Sequence, residues 1–270
     1  MNTTVPVSVV MPCYRCTRTL ARAVASIAAQ TSLPAEVILV DDGSADGTRA
    51  LMQELADNYP HGWIKLVLQD QNTGAASARN AGWVVACQPY IAFLDSDDAW
   101  HPKKIEIQYA YMQANPDVAL CGHGHRLMTQ DVLPDWNVVP DDAQNITKWA
   151  LLLSNRFVTP SVMLRREVTP RFNVQQRHME DHRLWLEILF DGARVVRLRA
   201  EMAAIYKDPF GMQGLSAQLW LMERGELANY RSLYRRGGIK GYQFAGLTLF
   251  SVLKFVRRLL IYGSYLRWKK

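Results

Sequence analysis

Apolar runs and polar breaks alternate regularly through the first 110 residues. Val5 to Met11 is a continuous β-prone run ended by Pro12, the pattern of a strand buried on both faces. Thr17 or Thr19 then offers a helix cap, and Leu20, Val24, Ile27 and Ala28 fall on one face of the helix that follows. Pro34 precedes a second apolar strand, Val37–Val40, which runs into Asp41-Asp42-Gly43-Ser44. A helix over 47–58 spaces Leu51, Leu55 and Tyr59 for burial. Ile64–Leu68 reads as a third strand, 74–87 as a helix rich in small residues, and Tyr90–Leu94 as a fourth strand. Strands alternating with helices at this spacing predict an α/β fold: a mostly parallel, right-handed βαβ sheet flanked by helices on both faces. Such sheets bind ligands outside the carboxyl ends of their strands. The predicted strands lead there into polar sequence, namely Cys13-Tyr14, Asp41-Asp42, Asn72-Thr73-Gly74 and Asp95-Ser96-Asp97, so four chain segments are expected to meet at one crevice.

The fourth of these segments carries the clearest chemistry. Tyr90-Ile91-Ala92-Phe93-Leu94 runs directly into Asp95-Ser96-Asp97-Asp98, three carboxylates in four positions. Clustered carboxylates repel one another and resist burial, and a divalent cation among their oxygens removes that penalty. A solvated turn capping a helix near Pro102 is the bland alternative. An EF-hand loop fails, because Trp100 stands where that loop needs glycine, although Glu106 falls at its twelfth position. No Gly-x-Gly-x-x-Gly opens the first helix and no P-loop occurs, which removes the usual dinucleotide and ATPase readings.

Pro12-Cys13-Tyr14, Asp41-Asp42-Gly43-Ser44, the run from Asn72-x-Gly74 to Arg79-Asn80-x-Gly82, and Asp95-Ser96-Asp97-Asp98 together resemble the inverting family 2 glycosyltransferases. The likeness covers residues 5 to 110 and continues in Thr159-Pro160-Ser161-Val162-Met163 and in Met179-Glu180-Asp181-His182-Arg183-Leu184-Trp185. It implies the GT-A fold and a nucleotide-sugar donor, with a uridine nucleotide the default. It further implies Pro12, Tyr14, Asp41, Asp42, Arg79, Asp95 and Ser96 around that donor, Tyr14 stacking on the base and Asp41 or Asp42 bonding its edge. Asp97, with Asp95 beside it, would hold Mn²⁺ or Mg²⁺. Asp181 is the expected general base, with Glu180 in support, and Thr159, Ser161 and His182 are expected on the acceptor side. Single displacement by an acceptor hydroxyl would invert the anomeric carbon.

Length and charge refine this picture. A chain of 270 residues holds one domain or slightly more, and the expected division is a donor half over 1–115, an acceptor half over 116–212 and a helical extension over 213–270. From Arg224 to Lys270 eleven Lys/Arg stand against one acid, Glu226, whereas the rest of this chain of net charge +6 is mildly acidic. Phe244 to Trp268 mixes Leu247, Phe250, Leu253, Val256, Leu260 and Tyr265 with Lys254, Arg257, Arg258 and Arg267, a basic amphipathic helix suited to an anionic membrane surface. Helix packing against the domain is the alternative. Membrane docking would fit a glycan or lipid-linked glycan acceptor, as in surface polysaccharide or lipopolysaccharide assembly.

A nucleic-acid-binding module conflicts with the acidic body and the lack of any recognisable motif, so no nucleic-acid partner is expected. A sugar nucleotidyltransferase should carry glycine after its first strand, where Pro12-Cys13-Tyr14-Arg15-Cys16 has none. Neither a secretory leader nor an apolar run of about 18 residues is visible, so a cytoplasmic protein, peripheral on the inner face of the cytoplasmic membrane, is expected. Cys13 and Cys16 form a Cys-x-x-Cys, but no second such pair follows and reduced thiols are the expectation. His178 and His182 lie four apart without the His-Glu-x-x-His order of zinc proteases, and are expected to pack or face solvent. Residues 135–145, polar and turn-rich, suggest a loop over the acceptor side.

Overall fold

The computed structural model describes residues 3–128, 134, 136, 143–206 and 218–268. In its first half the chain runs β1 (Thr3–Cys13), α1 (Leu20–Ala28), β2 (Ser32–Asp42), α2 (Thr48–Asn58), β3 (Ile64–Gln69), α3 (Ala75–Val85), β4 (Tyr90–Phe93), β5 (Ala99–Trp100) and α4 (Lys104–Ala114). The second half adds β6 (Val118–Met128), β7 (Ala143–Asn145), α5 (Lys148–Leu153), a 3-10 turn at Thr159–Ser161, β8 (Met163–Arg165), α6 (Glu180–Phe190), β9 (Arg194–Tyr206), α7 (Leu219–Arg235) and α8 (Gly241–Trp268). Among the described residues nine strands form one sheet in the order β3-β2-β1-β4-β8-β6-β9-β5, with β7 also paired to β9. β1 to β4 are mutually parallel, β6 and β9 are parallel to each other, and the short β8 runs against both β4 and β6. β5 and β7 run against β9, so the helix-flanked sheet is mixed, and its β1–β4 part is the parallel βαβ arrangement that the alternation predicts.

Both faces are covered. Val9, Met11 and Leu39 pack under Leu20, Val24 and Ile27 of α1 and Met52 of α2. Val10, Ile38 and Val40 face the other way, into a layer with Trp83 of α3, Leu184 and Trp185 of α6 and Tyr230 of α7. Burying each large apolar side chain contributes roughly 1.5–3 kcal/mol, so successive residues of β1 drive packing on opposite faces. α3 lies unusually close to the sheet: a Cβ on Gly82 would sit 2.4 Å from Val10 Cγ1. Its small-residue composition is therefore a packing requirement.

Three local expectations need correction. β2 begins at Ser32 and contains Pro34, which is tolerated because β3 first pairs at Val37 and leaves that side of Pro34 without a ladder. Neither Thr17 nor Thr19 caps α1 with its side chain. The Cys16 carbonyl instead accepts from the Thr19 and Leu20 amides, at 3.1 and 3.0 Å. α4 starts at Lys104, whose amide donates to the His101 carbonyl, so the acidic cluster is no cap for that helix.

The C-terminal segment is packed rather than extended. The Tyr230 hydroxyl is buried and donates to the Leu152 carbonyl at 2.7 Å, tying α7 to α5. α8 doubles back on α7: Ser251 donates to Glu223 at 2.7 Å, Lys254 pairs with Glu226, and Tyr234 stacks on Phe244 at 5.2 Å. Among the described residues no helix is long and apolar enough to cross a membrane. Of the suggested loop over 135–145, residues 143–145 are strand β7, while 135 and 137–142 lie outside the described residues.

Candidate active site

The carboxyl ends of β1, β2 and β4, with the loop ahead of α3, open onto a cavity of about 940 Å³. That is the size of a small-molecule site. β1 contributes Pro12 and Cys13 and continues into Tyr14, Arg15 and Cys16. β2 contributes Asp42, the segment before α3 contributes Asn72 to Ala76, and the turn after β4 contributes Asp95, Ser96 and Asp97. Gly43 makes the join possible. Its φ is +68°, and a Cβ there would lie 2.4 Å from the Gln71 carbonyl carbon. The turn can therefore press against 71–74, where Asp42 accepts from the Thr73 amide at 2.8 Å and the Gly74 amide at 2.9 Å. Asp41 does not line the cavity. Its buried carboxylate accepts from the Ser44 amide and from Arg49 Nε at 2.6 Å, a structural brace. Of the expected base-edge pair, only Asp42 is available.

Beside Asp42 lies the acidic cluster. Asp95, Asp97 and Asp98 each offer one carboxylate oxygen, all within 4.8 Å of one another. Asp98, which sequence reading had not assigned as a ligand, is fully buried, and one of its oxygens accepts from the Tyr206 amide at 3.2 Å. Three hard oxygen donors suit Mg²⁺ or Mn²⁺ better than a thiophilic ion. Arg79, buried on α3, spans the floor: Nη2 donates to Asp95 at 2.6 Å and Nη1 to Glu180 at 3.2 Å. Burial works against its charge, but Asp95 and Glu180 outweigh that and raise its pKa.

The opposite wall is the start of α6. Met179 takes a left-handed conformation at φ 60°, uncommon for a bulky side chain, and this aims Glu180 into the cavity. The turn is braced by α7. Asn229 Nδ2 donates to the Met179 carbonyl at 3.0 Å and its Oδ1 accepts from Gln176 at 2.8 Å, while Gly225 admits the His178 carbonyl where a Cβ would lie 2.5 Å away. Burial pushes the Glu180 carboxyl up to about 7; Arg79 pulls it down and Asp181 adds to the rise. Asp181 is half-buried and accepts from Asn155 Nδ2 at 3.1 Å and from the His182 amide at 2.6 Å. It lies next to the cavity wall rather than on it.

The three residues expected on the acceptor side are all buried, which for His182 is the packing that its spacing also suggested. His182 is fully buried, with Nε2 2.8 Å from the Leu151 carbonyl, and desolvation lowers its pKa. Thr159 and Ser161 are buried in the 3-10 turn, where Ser161 Oγ donates to Val158 at 2.7 Å. None of the three lines the cavity. What the sequence reading missed is the cationic rim: Arg15, Arg18, Arg22 and Arg177 all line the opening. Arg22 lies 3.7 Å over the Tyr206 ring and donates to the Asp97 carbonyl at 2.5 Å. Arg15, Arg18 and Arg22, clustered between the end of β1 and the first turn of α1, were the available signal.

The sequence profile described as "Glycosyl transferase family 2" matches residues 8–169 of the chain. WfgD of Escherichia coli, named a UDP-Glc:alpha-D-GlcNAc-diphosphoundecaprenol beta-1,3-glucosyltransferase, is 34% identical over 185 residues, covering 68% of this chain and 70% of WfgD. Among solved structures, TarS of Staphylococcus aureus (residues 1–349, in complex with UDP) superposes with a TM-score of 0.66 at 16% identity, over 90% of this chain and 70% of TarS. The mannosyltransferase PcManGT of Pyrobaculum calidifontis, in complex with GDP-Man and Mn²⁺, gives 0.66 at 18% identity, over 85% of this chain and 64% of PcManGT. Both likenesses concern the fold.

Proposed function

The chain belongs to glycosyl transferase family 2 and is a glycosyltransferase, and on that premise we propose that it moves a sugar from a UDP-sugar to an acceptor hydroxyl with inversion. The observation that carries this reading is the cavity itself, which sets Asp95 and Asp97, backed by the buried Asp98, beside a rim of four arginines. A nucleoside diphosphate alone would be repelled by Asp95 and Asp97, and a free cation would be repelled by the rim. A metal–diphosphate satisfies both. The UDP bound by TarS, the UDP-Glc in the name of WfgD and the Mn²⁺ held by PcManGT support the same choice by analogy.

Each residue then has a role. Tyr14, about two-fifths exposed at the lip, stacks on the base, and Asp42 accepts from the base edge. Arg15, Arg18, Arg22 and Arg177 draw in the diphosphate, and Ser96 hydrogen-bonds near it. Asp95, Asp97 and Asp98 would hold Mn²⁺ or Mg²⁺, which when bound neutralises charge developing on the departing diphosphate. Asp181 takes the proton of the acceptor hydroxyl as that oxygen bonds to the anomeric carbon and the bond to the diphosphate breaks. Glu180, already paired with Arg79, orients that arginine toward the donor. A second reading makes Glu180 the base, because it faces the cavity and titrates near neutrality. Residues 1–115 form the donor half and 116–212 the acceptor half.

The acceptor is proposed to be a lipid-linked glycan met at the cytoplasmic membrane face. Leu249, Leu253, Val256 and Leu260 make an exposed apolar row on α8, with Arg257 and Arg258 beside it. Such a row suits shallow insertion into anionic lipid.

Calorimetric titration of UDP with and without Mn²⁺, followed by turnover on a UDP-sugar panel and NMR of the product anomer, tests the proposal. Binding that ignores the metal, or a retained anomeric configuration, would sink it.

A further inference from the structure

Two thiols in the cavity wall have no part in that chemistry. Cys13 ends β1, Cys16 begins the approach to α1, and both line the cavity. Arg15 between them adopts φ 49°, in the left-handed region. The Cys13 thiol donates to the Met11 carbonyl at 3.6 Å, and the Cys16 thiol, three positions on, lines the same cavity wall. The loop is pinned from outside: the Arg15 amide donates to Ser44 Oγ at 3.1 Å and the Cys16 amide to Thr48 Oγ1 at 3.0 Å. Ser96, beside Asp95 and Asp97, is among the side chains that lower the Cys16 pKa, which links the thiol pair to the acidic turn.

We propose that Cys13 and Cys16 are an oxidisable dithiol which, on closing to a disulfide, weakens donor-nucleotide binding. The consequence for the nucleotide rests on reading the cavity as the donor site; disulfide formation does not. The two thiols are unequal in the way such chemistry needs. Hydrogen bonding from Cys13 lowers the Cys16 pKa despite its burial, whereas burial raises that of Cys13. Cys16 is therefore the attacking thiolate and Cys13 the resolving thiol. With hydrogen peroxide as oxidant, the Cys16 thiolate attacks one peroxide oxygen, the O–O bond breaks and hydroxide leaves, giving a sulfenic acid. Cys13 sulfur then displaces that oxygen as water, its own proton completing the balance. Two thiols lose two electrons, and one peroxide becomes two waters.

The physical link to binding is short. Pulling the Cys16 sulfur onto Cys13 alters its interaction with Ser96, beside Asp95 and Asp97. It also constrains Tyr14 and Arg15, the two residues inside the new ring. Cys121 does not compete, being buried with its thiol pushed up to about 12. Cys87 is exposed and is the thiol to remove. Zinc is not the better occupant: among the described residues the one cluster of three or more ligating side chains is Asp95, Asp97 and Asp98.

The test uses the full chain carrying Cys87→Ser, treated with hydrogen peroxide, alkylated and digested with trypsin. Cleavage after Arg15 and Arg18 should leave Met1–Arg15 joined to Cys16–Arg18, separable by dithiothreitol. UDP affinity with Mn²⁺ should fall about fivefold or more on oxidation and return on reduction, and Cys16→Ser should bind UDP equally before and after peroxide. Both peptides alkylated after oxidation would overturn the dithiol. A linked peptide with unchanged affinity, or peroxide sensitivity persisting in Cys16→Ser, would overturn its coupling to the site. If the reduced protein does not bind UDP at all, the donor reading and its coupling fail together, while the linked peptide still decides the dithiol.

Discussion

The two walls of the cavity are held by different kinds of contact. On the proposed donor wall Asp42 ends β2 and Asp95 follows β4, so both are placed by the sheet. On the α6 wall, Glu180, with Asp181 next to the wall, follows a left-handed Met179 that the backbone would not choose alone. That turn persists because Asn229, fifty positions later in the chain, donates to its carbonyl. Strain of this kind costs about 1–3 kcal/mol and needs surroundings that over-determine it. The contrast teaches that Asp42 and Asp95 take their places from the strands they follow, whereas Glu180 and its neighbour Asp181 depend on a helix remote in sequence.

The contrast can be broken at its catalytic end first. Asp181→Asn is expected to cut turnover by about 10²–10⁴-fold with UDP affinity retained. Should Glu180→Gln show that loss instead, with Asp181→Asn near normal, the base moves to Glu180. Asp97→Ala on the donor wall should reverse the pattern, removing the metal dependence of UDP binding while the melting temperature stays close to wild type. A variant that still binds UDP more tightly with Mn²⁺ would place the ion elsewhere.

Arg79→Met joins the two walls in one measurement, because it strands Asp95 and Glu180 together. Losing one partner of a buried ion pair costs about 3–5 kcal/mol, readable as a shift in urea midpoint; a shift near zero would mean that the pair is solvated. Asn229→Ala should be milder. A lost hydrogen bond to a buried carbonyl costs about 1–3 kcal/mol, and turnover should fall while UDP affinity holds. Equal losses in both would deny the α6 wall its separate support.

The smallest effect is a pH dependence. Glu180 titrates near 7 in the native protein against 4.5 unfolded, so the native state binds this proton more tightly. Its contribution to stability is full below about 4.5 and is lost as pH rises through 7. Glu180→Gln should flatten that part of the curve in urea melts from pH 4 to 8. An unchanged slope would assign the dependence to another group.

The fold was largely legible because βα alternation is a local signal. Continuous runs such as Val5–Met11 and Val37–Val40 mark doubly covered strands whatever lies beyond them. The acidic turn was legible for a related reason, since three carboxylates in four positions have no packing rationale. Asp41 was misjudged because an Asp-Asp pair at a strand end does not tell which member turns inward. Only the Arg49 and Ser44 contacts settle that. Thr159 and Ser161 were expected on the acceptor side by resemblance and His182 by its place beside Asp181; their burial was not legible, since polarity in a sequence carries no record of which helix will cover it.

The alternation of apolar blocks and the chemistry at their ends thus belonged to the chain as written: a parallel sheet, one ligand edge and a carboxylate cluster. Folding alone chose which of those polar groups share a cavity. It brought an oxygen of the buried Asp98 within 4.8 Å of oxygens of Asp95 and Asp97, set Arg22 on their rim, seated Arg79 between Asp95 and Glu180, and laid α8 back on α7. The reason is that side-chain period and strand ends are properties of neighbours in sequence, whereas desolvation and ion pairing are decided by neighbours in space.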